Sequence, residues 1–150
     1  MKHIKFLFLS LVAVIAMSCD KGPDLELTVQ RFPEAAFYSG ELTQQVGEEQ
    51  SVYTTYVELN KLHRGGYSFS IAVDSEENGQ YVLFKEVDGE MNSDMLTLVH
   101  ENIVGKLNLT ECTFASLDAE LSKDRAKITL DFGNDKVWTC DIESEEIKLE

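Results

Sequence analysis

The chain of 150 residues is long enough for one domain, and its 27 acidic side chains outnumber its 13 basic ones, which gives a net charge of −14. Binding to nucleic acid is led by Lys and Arg contacts to phosphate, so this charge excludes a nucleic-acid-binding protein. It equally disfavours adsorption of the domain to an anionic membrane surface, and it favours solubility.

The first 18 residues differ in composition from the rest of the chain. A short basic start is followed at 6–15 by an apolar run of about ten residues, which only Ser10 interrupts. Such a run is too short to span a bilayer, which takes about 20 residues. The sequence Asp-Lys-Gly-Pro-Asp at 20–24 then ends the helical pattern, which disfavours an uncleaved anchor helix. Residues 1–18 are therefore predicted to be a signal peptide that is removed.

The residues Ala16-Met17-Ser18-Cys19 resemble the lipobox of bacterial lipoproteins. The resemblance implies diacylglyceryl transfer to the Cys19 thiol, cleavage before Cys19 and acylation of the new amine with a palmitate-like chain. Each buried methylene contributes about 0.8 kcal/mol, so two or three acyl chains anchor firmly where one does not. The alternative is a plain signal peptidase cut after Ser18. Asp20 resembles an inner-membrane retention signal of enteric bacteria, but Ser-Cys-Asp openings in other groups indicate the outer membrane, which we expect here.

After a lipidated tether at 19–24, residues 25–150 are predicted to form a single all-β domain. Alternation of apolar and polar residues with a period of two is typical of half-buried strands. Clear alternation predicts strands at 25–29, 67–73, 126–132 and 137–142, and weaker patterns predict strands at 36–44, 52–61, 80–87, 95–103 and 106–117. The segment 117–127 also alternates at its start, before a turn at 122–125.

Turn residues separate these strands. Gly65-Gly66, Asn78-Gly79 and the Gly-Asn-Asp sequence at 133–135 tolerate the positive φ angles of tight hairpins. About eight or nine short strands joined in this way predict an antiparallel up-and-down meander. Closure into a small barrel would hide the edge strands, and a two-sheet β-sandwich is the alternative.

The predicted strand at 36–44 carries an aromatic-x-Gly pattern, Tyr38-Ser39-Gly40. In this pattern and in its strand rhythm the chain resembles the calycin-like (lipocalin-related) lipoproteins, which implies an up-and-down barrel. The Gly-x-Trp signature of lipocalins is absent. A glycine at position 40 also suits the sharp bend of a small barrel.

Six aromatic residues fall on the strand faces that are predicted to point inward: Tyr38, Tyr53, Tyr67, Phe69, Phe132 and Trp138. In an eight-stranded barrel, such side chains either fill the interior or line a pocket for one small hydrophobic or sugar ligand. Dense packing of protein interiors favours filling. If a pocket is present, Tyr38, Tyr53, Tyr67 and Trp138 are its candidate ligand-binding residues.

Cys112 and Cys140 are the two cysteines that follow Cys19. If the strands pair in chain order, these cysteines lie two strands apart, at about 10 Å, beyond the roughly 7 Å Cα limit of a disulfide. That order predicts free thiols, whereas a different strand order would permit a disulfide in the oxidising envelope.

No catalytic, metal-binding or cofactor-binding motif is recognisable. His63 and His100 lack metal-ligand spacing, and no Gly-x-Ser-x-Gly sequence is present. Residues 88–94 place oxygen ligands at alternate positions, but they lack the glycine and distal glutamate of a calcium loop, so a solvated acidic loop is expected. We therefore expect no enzyme, no metal and no cofactor.

These observations leave three hypotheses for a lipid-anchored envelope protein. The first is a non-catalytic β domain that binds a small hydrophobic or glycan ligand, and the second is a protein interaction or inhibitor module. The third, least favoured, is a hydrolase. An open interior would favour the first hypothesis, and a filled barrel with an exposed apolar patch would favour the second.

Overall fold

The computed structural model describes residues 34–75 and 79–143, and all of the regular elements within these ranges are β-strands. They belong to one compact unit, Phe32–Glu150. The strands are β1 (Ala35–Val46), β2 (Glu49–Lys61), β3 (Tyr67–Asp74), β4 (Gln80–Val87), β5 (Glu90–Asn92), β6 (Met95–Leu107), β7 (Thr110–Leu121), β8 (Arg125–Gly133) and β9 (Lys136–Glu143).

The sheet is a closed antiparallel barrel of eight strands. β1 to β4 pair in chain order, as do β6 to β9, and the two runs are joined by a β1–β9 ladder and a β4–β6 ladder. The short strand β5 pairs with β6 as an addition to the barrel. The prediction of an all-β meander closed into a calycin-like barrel is confirmed, and the sandwich alternative is wrong. Closure leaves each barrel strand with a neighbour on both sides, which removes the open sheet edges.

The largest differences from the predicted strand boundaries lie in β6 and β7. The predicted break after residue 103 lies within β6, at Asn102, whose φ is +50°. The buried residues of β6 occupy even positions before Asn102, at Leu96 and Leu98, and an odd position after it, at Gly105. This break in the alternation is why the sequence pattern predicted that a strand ends here. The true turn comes later, at Asn108 and Leu109, where both φ angles are positive.

The sequence pattern does not predict this turn, because leucine rarely adopts a positive φ angle. The φ of Leu109 is +71° and its side chain is 79% exposed, although a left-handed backbone conformation costs a non-glycine residue on the order of 1 kcal/mol. The predicted strand at 106–117 is therefore divided between β6 and β7, and β7 continues to Leu121, through the alternating start of the segment 117–127. The segment 88–94, expected to be a loop, contains β5. The predicted strand at 25–29 lies outside the described residues, as does Asn78.

The predicted positive φ angles are present at Gly65, Gly66 and the turn residues 133–135. Buried residues alternate with exposed ones along the barrel strands, and they form one hydrophobic cluster in the interior. Rings from five strands meet there in sequence: Phe69 and Phe84 lie 6.3 Å apart between centroids, and Phe84 and Phe114 lie 5.2 Å apart. The series continues through Phe132 to Trp138, at 5.2 and 4.6 Å.

Two inward-facing glycines allow this packing. A Cβ atom on Gly105 would lie 2.7 Å from the Phe84 ring and 3.0 Å from the Phe114 ring. A Cβ atom on Gly40 would lie 2.9 Å from Cγ1 of Ile142. The role of Gly40 is thus a close approach to β9, which adds a reason for glycine beyond the bend expected from the sequence.

We expect Gly105→Ala to lower the free energy of unfolding by about 1–3 kcal/mol, because the added methyl group would overlap the Phe84 ring and crowd the Phe114 ring. Chemical denaturation measures the change. Gly79→Ala is the matched control, since its Cβ would make an ordinary 3.5 Å contact with the Val73 carbonyl oxygen. Equal midpoints for the Gly105→Ala protein and the wild type would contradict the packing of Gly105.

Candidate binding surface

Two of the four candidate ligand-binding residues are part of the filled interior. Tyr38 is 2% exposed and Trp138 is 1% exposed. The Tyr38 hydroxyl donates a 2.6 Å hydrogen bond to the carbonyl oxygen of Ser122, and Trp138 Nε1 donates a 2.9 Å bond to Gln44 Oε1. Burial, with a smaller contribution from the charge of Asp124, raises the pKa of Tyr38 well above its ordinary value. Both polar atoms are thus already paired within the protein.

The other two candidates also contribute to the core. Tyr67 is buried, and Tyr53 is half-buried and packs against the hydrophobic cluster. Phe69 is buried and Phe132 is half-buried, so all six aromatics lie on the inward faces that the sequence predicted. Within the described part of the chain, no buried side-chain nitrogen or oxygen lacks a hydrogen-bond partner. These aromatic side chains therefore pack the space that an interior ligand would need.

Lys136 lies across one end of this core. Its Nζ donates a 2.9 Å hydrogen bond to Gln80 Oε1 and lies 4.4 Å from the centroid of Phe132 and 5.3 Å from that of Trp138. Gln80 begins β4 and Lys136 begins β9, four strands apart in either direction around the barrel. The bond therefore crosses the end of the interior. Burial lowers the pKa of Lys136, because a charged amine is less stable away from water.

The two cysteines within the barrel are free thiols. Cys140 of β9 lies level with Ile128 of β8 and Ala119 of β7. Cys112 is seven residues before Ala119 on β7, so the two cysteines are separated both across the sheet and along it. The strand order is the one predicted, and the alternative of a Cys112–Cys140 disulfide does not occur in it. Burial raises the pKa of the Cys140 thiol to about 12, which keeps it protonated and unreactive at neutral pH.

The residues considered for metal binding are dispersed. Across 34–75 and 79–143, no group of three or more His, Cys, Asp or Glu side chains is placed to hold a metal ion. His63 is exposed in a turn, and Nε2 of His100 lies 2.5 Å from the carbonyl oxygen of Asp88. This contact holds the β4–β5 connection against β6.

Clefts of about 280 and 420 Å³ border the barrel strands, and neither is lined by the four candidate aromatics. The smaller lies beside the β4–β5 connection and is lined by Asp88, Gly89, Glu90, Thr97, Val99 and His100. The larger crosses β1, β9 and β8, where Thr43, Thr139 and Thr129 are register partners. Cross-strand threonine pairs stabilise a sheet without any ligand, and neither cleft brings an exposed aromatic ring to its wall.

Exposed aromatic residues instead cluster on the outer surface of β1 to β4. Tyr56 pairs with Ala72, and Ala72 pairs with Tyr81, so these three side chains form one row across the sheet. The Phe37 ring stacks on Tyr56 with a 6.1 Å centroid distance and a 23° interplanar angle. Phe37 is 65% exposed, Tyr56 42% and Tyr81 37%. We name Phe37, Tyr56, Ala72 and Tyr81 the outer aromatic strip.

The backbone beneath the strip is held in place at its far end. The Tyr81 amide donates a 2.8 Å hydrogen bond to Asn108 Oδ1, and the Tyr81 carbonyl accepts a 2.8 Å bond from the Asn108 amide. These bonds attach β4 to the β6–β7 turn. The strip is not recognisable in the sequence, because its residues are far apart in the chain and occupy the outward positions of their strands. The one sequence feature that indicates the strip is the presence of Tyr56 and Tyr81 at outward strand positions, where polar residues are expected.

Cys19, the predicted site of lipid attachment, lies outside the described residues. A helix long and apolar enough to cross a membrane is not found in 34–75 or 79–143. Comparison with known proteins finds no matching family, no matching curated protein and no matching solved structure.

Trp138 is the single tryptophan of the chain, so tryptophan fluorescence excited at a wavelength that tyrosine does not absorb reports on the interior alone. We expect its emission to be shifted to the blue of free tryptophan and to resist quenching by acrylamide, because the ring is buried. Lauric acid or cellobiose should leave the emission unchanged. Unfolding in guanidinium chloride serves as the positive control. A saturable change in emission with either compound would show that the interior opens to a ligand.

Proposed function

We propose that the chain is a lipid-anchored envelope lipoprotein whose non-catalytic β-barrel binds a partner protein through the outer aromatic strip. The observation that carries this proposal is the combination of a packed interior with an exposed row of aromatic side chains on a rigid sheet. Large exposed apolar patches on soluble domains mark interaction sites, whereas singly scattered apolar residues do not. The interior ligand expected from the sequence has less support, because buried side chains occupy its place.

The strip has the properties of an interaction surface. Tyrosine and phenylalanine supply large contact areas with few rotatable bonds, and aromatic residues are enriched among those that dominate binding energy. The stacked pair Phe37 and Tyr56 is already ordered before a partner arrives. Less conformational entropy is then lost on binding than with flexible side chains.

The proposed anchor is the lipid on Cys19. The short tether at 19–24 would keep the barrel close to the membrane, and its acidic surface would keep it from lying against anionic headgroups. We propose the outer membrane as the location, on the basis of the Ser-Cys-Asp sequence. The barrel then displays its strip to proteins of the envelope.

Cys19→Ala should abolish lipidation and move the protein from the membrane fraction to the soluble fraction, because no acyl chain is attached. Mass spectrometry of the mature amino terminus and cell fractionation measure these two effects. Cys112→Ser is the matched control and should remain membrane-bound. A membrane-bound wild type with an unmodified Cys19 would refute the anchor.

The strip is tested by photocrosslinking in cells, with benzoylphenylalanine in place of Ser39, an exposed neighbour of Tyr56 in the pairing register. We expect an adduct of discrete mass, and we expect it to disappear when Tyr56→Ser and Tyr81→Ser are added, since these remove the ring contacts. The same crosslinker in place of Val99, an exposed apolar residue of β6, is the control and should give no such adduct. Equal adducts at the two positions, or an adduct that survives both serine substitutions, would refute the strip as the docking surface.

A further inference from the structure

We propose that the partner docks on the outer aromatic strip through a cationic segment, one that carries Arg or Lys side chains. This inference rests on the proposed function, and it adds the chemistry of the partner. Its basis is the charge around the strip together with the ring faces that the strip exposes.

Carboxylates border the strip on both sides. Glu58 follows Tyr56 by two residues on the same outer face of β2, and Asp74 follows Ala72 by two residues on β3. Asp74 pairs with Thr54, and Thr54 pairs with Glu41 of β1. All three carboxylates are exposed. The row Tyr56–Ala72–Tyr81 therefore lies between Glu58 on one side and Asp74 and Glu41 on the other, while Glu58 is also the register partner of Phe37. We name Glu41, Glu58 and Asp74 the acidic rim.

Among the described residues, no base forms an ion pair with a carboxylate of the acidic rim. Within 34–75 and 79–143, the ion pair found joins Arg125 to Asp141, on β8 and β9. Glu58 accepts a 2.7 Å hydrogen bond from Asn60 Nδ2, which is uncharged. Lys106 lies in the same lateral row as Glu58, but it is on β6, three strands away, with Ser70 and Leu83 between them. The rim charges are thus available to a partner.

Arg and Lys side chains match both features of this surface. The faces of aromatic rings attract cations within about 6 Å of the ring centroid, and a guanidinium group can also stack on them. A partner's Arg or Lys that contacts a ring of the strip can at the same time lie close to a rim carboxylate. Within the Debye length, about 8 Å at physiological salt, the attraction between the two charges is only partly screened. Aromatic and acidic groups together therefore select a cationic segment.

Other occupants fit this charge less well. A second copy of the chain would place one acidic rim against another in a two-fold interface, and the chain as a whole carries a net charge of −14. An anionic membrane surface would be repelled for the same reason. A neutral glycan could stack on the rings but would make no use of the charge of the rim.

The test is an NMR titration of the lipidated mature protein in micelles of a non-ionic detergent. The probes are three hexapeptides in which tryptophan alternates with arginine, glutamine or glutamate, together with cellotetraose. We expect the arginine peptide to shift the amide resonances of the strip and to bind at least ten-fold more tightly than the glutamine peptide. Raising the salt from 50 to 300 mM should weaken its binding several-fold.

Two matched triple variants separate the acidic rim from the overall charge. Glu41→Gln, Glu58→Gln and Asp74→Asn together should weaken the arginine peptide five- to ten-fold. The control triple, Glu111→Gln, Asp118→Asn and Glu120→Gln, changes exposed residues of β7, four strands from β2 in either direction, and should leave the affinity within two-fold of wild type. The exposed positions of all six residues predict unchanged thermal melting, which is measured alongside.

The outcomes distinguish the inference from the function on which it rests. If the glutamine peptide or cellotetraose shifts the strip as strongly as the arginine peptide, or if both triple variants behave alike, the cationic partner is refuted and the strip stands as a binding surface. If none of the four probes shifts the strip while the Ser39 crosslink is also absent, both proposals are refuted. If no probe shifts the amide resonances of the strip but the Ser39 crosslink forms, only the cationic partner is refuted.

Discussion

The size of the barrel interior is the constraint on which the rest of the structure depends. Eight antiparallel strands enclose a space just wide enough for side chains to fill, so each inward residue must fit against those of the opposite wall. The series of rings from Phe69 to Trp138 occupies that space from β3 to β9. Gly40 and Gly105 follow from the same constraint, because a side chain at either position would overlap Ile142 or Phe84. The change of parity at Asn102 brings Gly105 to the inward face, where Phe84 needs the space.

Closure of the barrel is uneven, and this has a consequence for the outer surface. β1 pairs with β2 along its whole length, whereas β4 and β6 pair through Val82–Leu83 and Leu107–Lys106 alone. The two hydrogen bonds between Asn108 and Tyr81 reinforce this short ladder at one end. They also fix the last residue of the outer aromatic strip. The bonds that close the barrel thus help to hold its exposed aromatic row in register.

A filled interior changes what the barrel can do. The polar atoms of Tyr38 and Trp138 form hydrogen bonds within the barrel, and the Lys136–Gln80 bond crosses one end of it. The inward side chains therefore stabilise the fold and leave no polar group free for an interior ligand at these positions. In our proposal, recognition takes place on the outer surface, where the strands display side chains at spacings set by the sheet. Within one lateral row, side chains on neighbouring strands lie about 4.8 Å apart, a regular spacing that a partner can match. The barrel therefore acts in our proposal as a scaffold, with the lipid on Cys19 as its tether.

The sequence determined the features that depend on local pattern. Period-two alternation was sufficient for the strands from β1 to β4, β8 and β9, and glycine-rich turns predicted the positive φ angles at Gly65, Gly66 and 133–135. Chain order and short turns were also sufficient for the meander and for the separation of Cys112 from Cys140, because adjacent antiparallel strands usually pair. The composition indicated the acidic surface, and the inward direction of the six aromatics followed from the strand faces.

Tertiary structure alone decided the rest. The turn at Asn108–Leu109 could not be predicted, since a leucine with positive φ is tolerated only where the surrounding strands enforce it. Whether the inward aromatics leave a cavity depends on how rings from distant strands interdigitate, and no local pattern contains that information. The outer aromatic strip and the acidic rim likewise arise from register, which places Phe37, Tyr56, Ala72 and Tyr81 on one face although they come from four separate strands. Pairing between strands, rather than any one segment, creates the surface on which the proposed function rests.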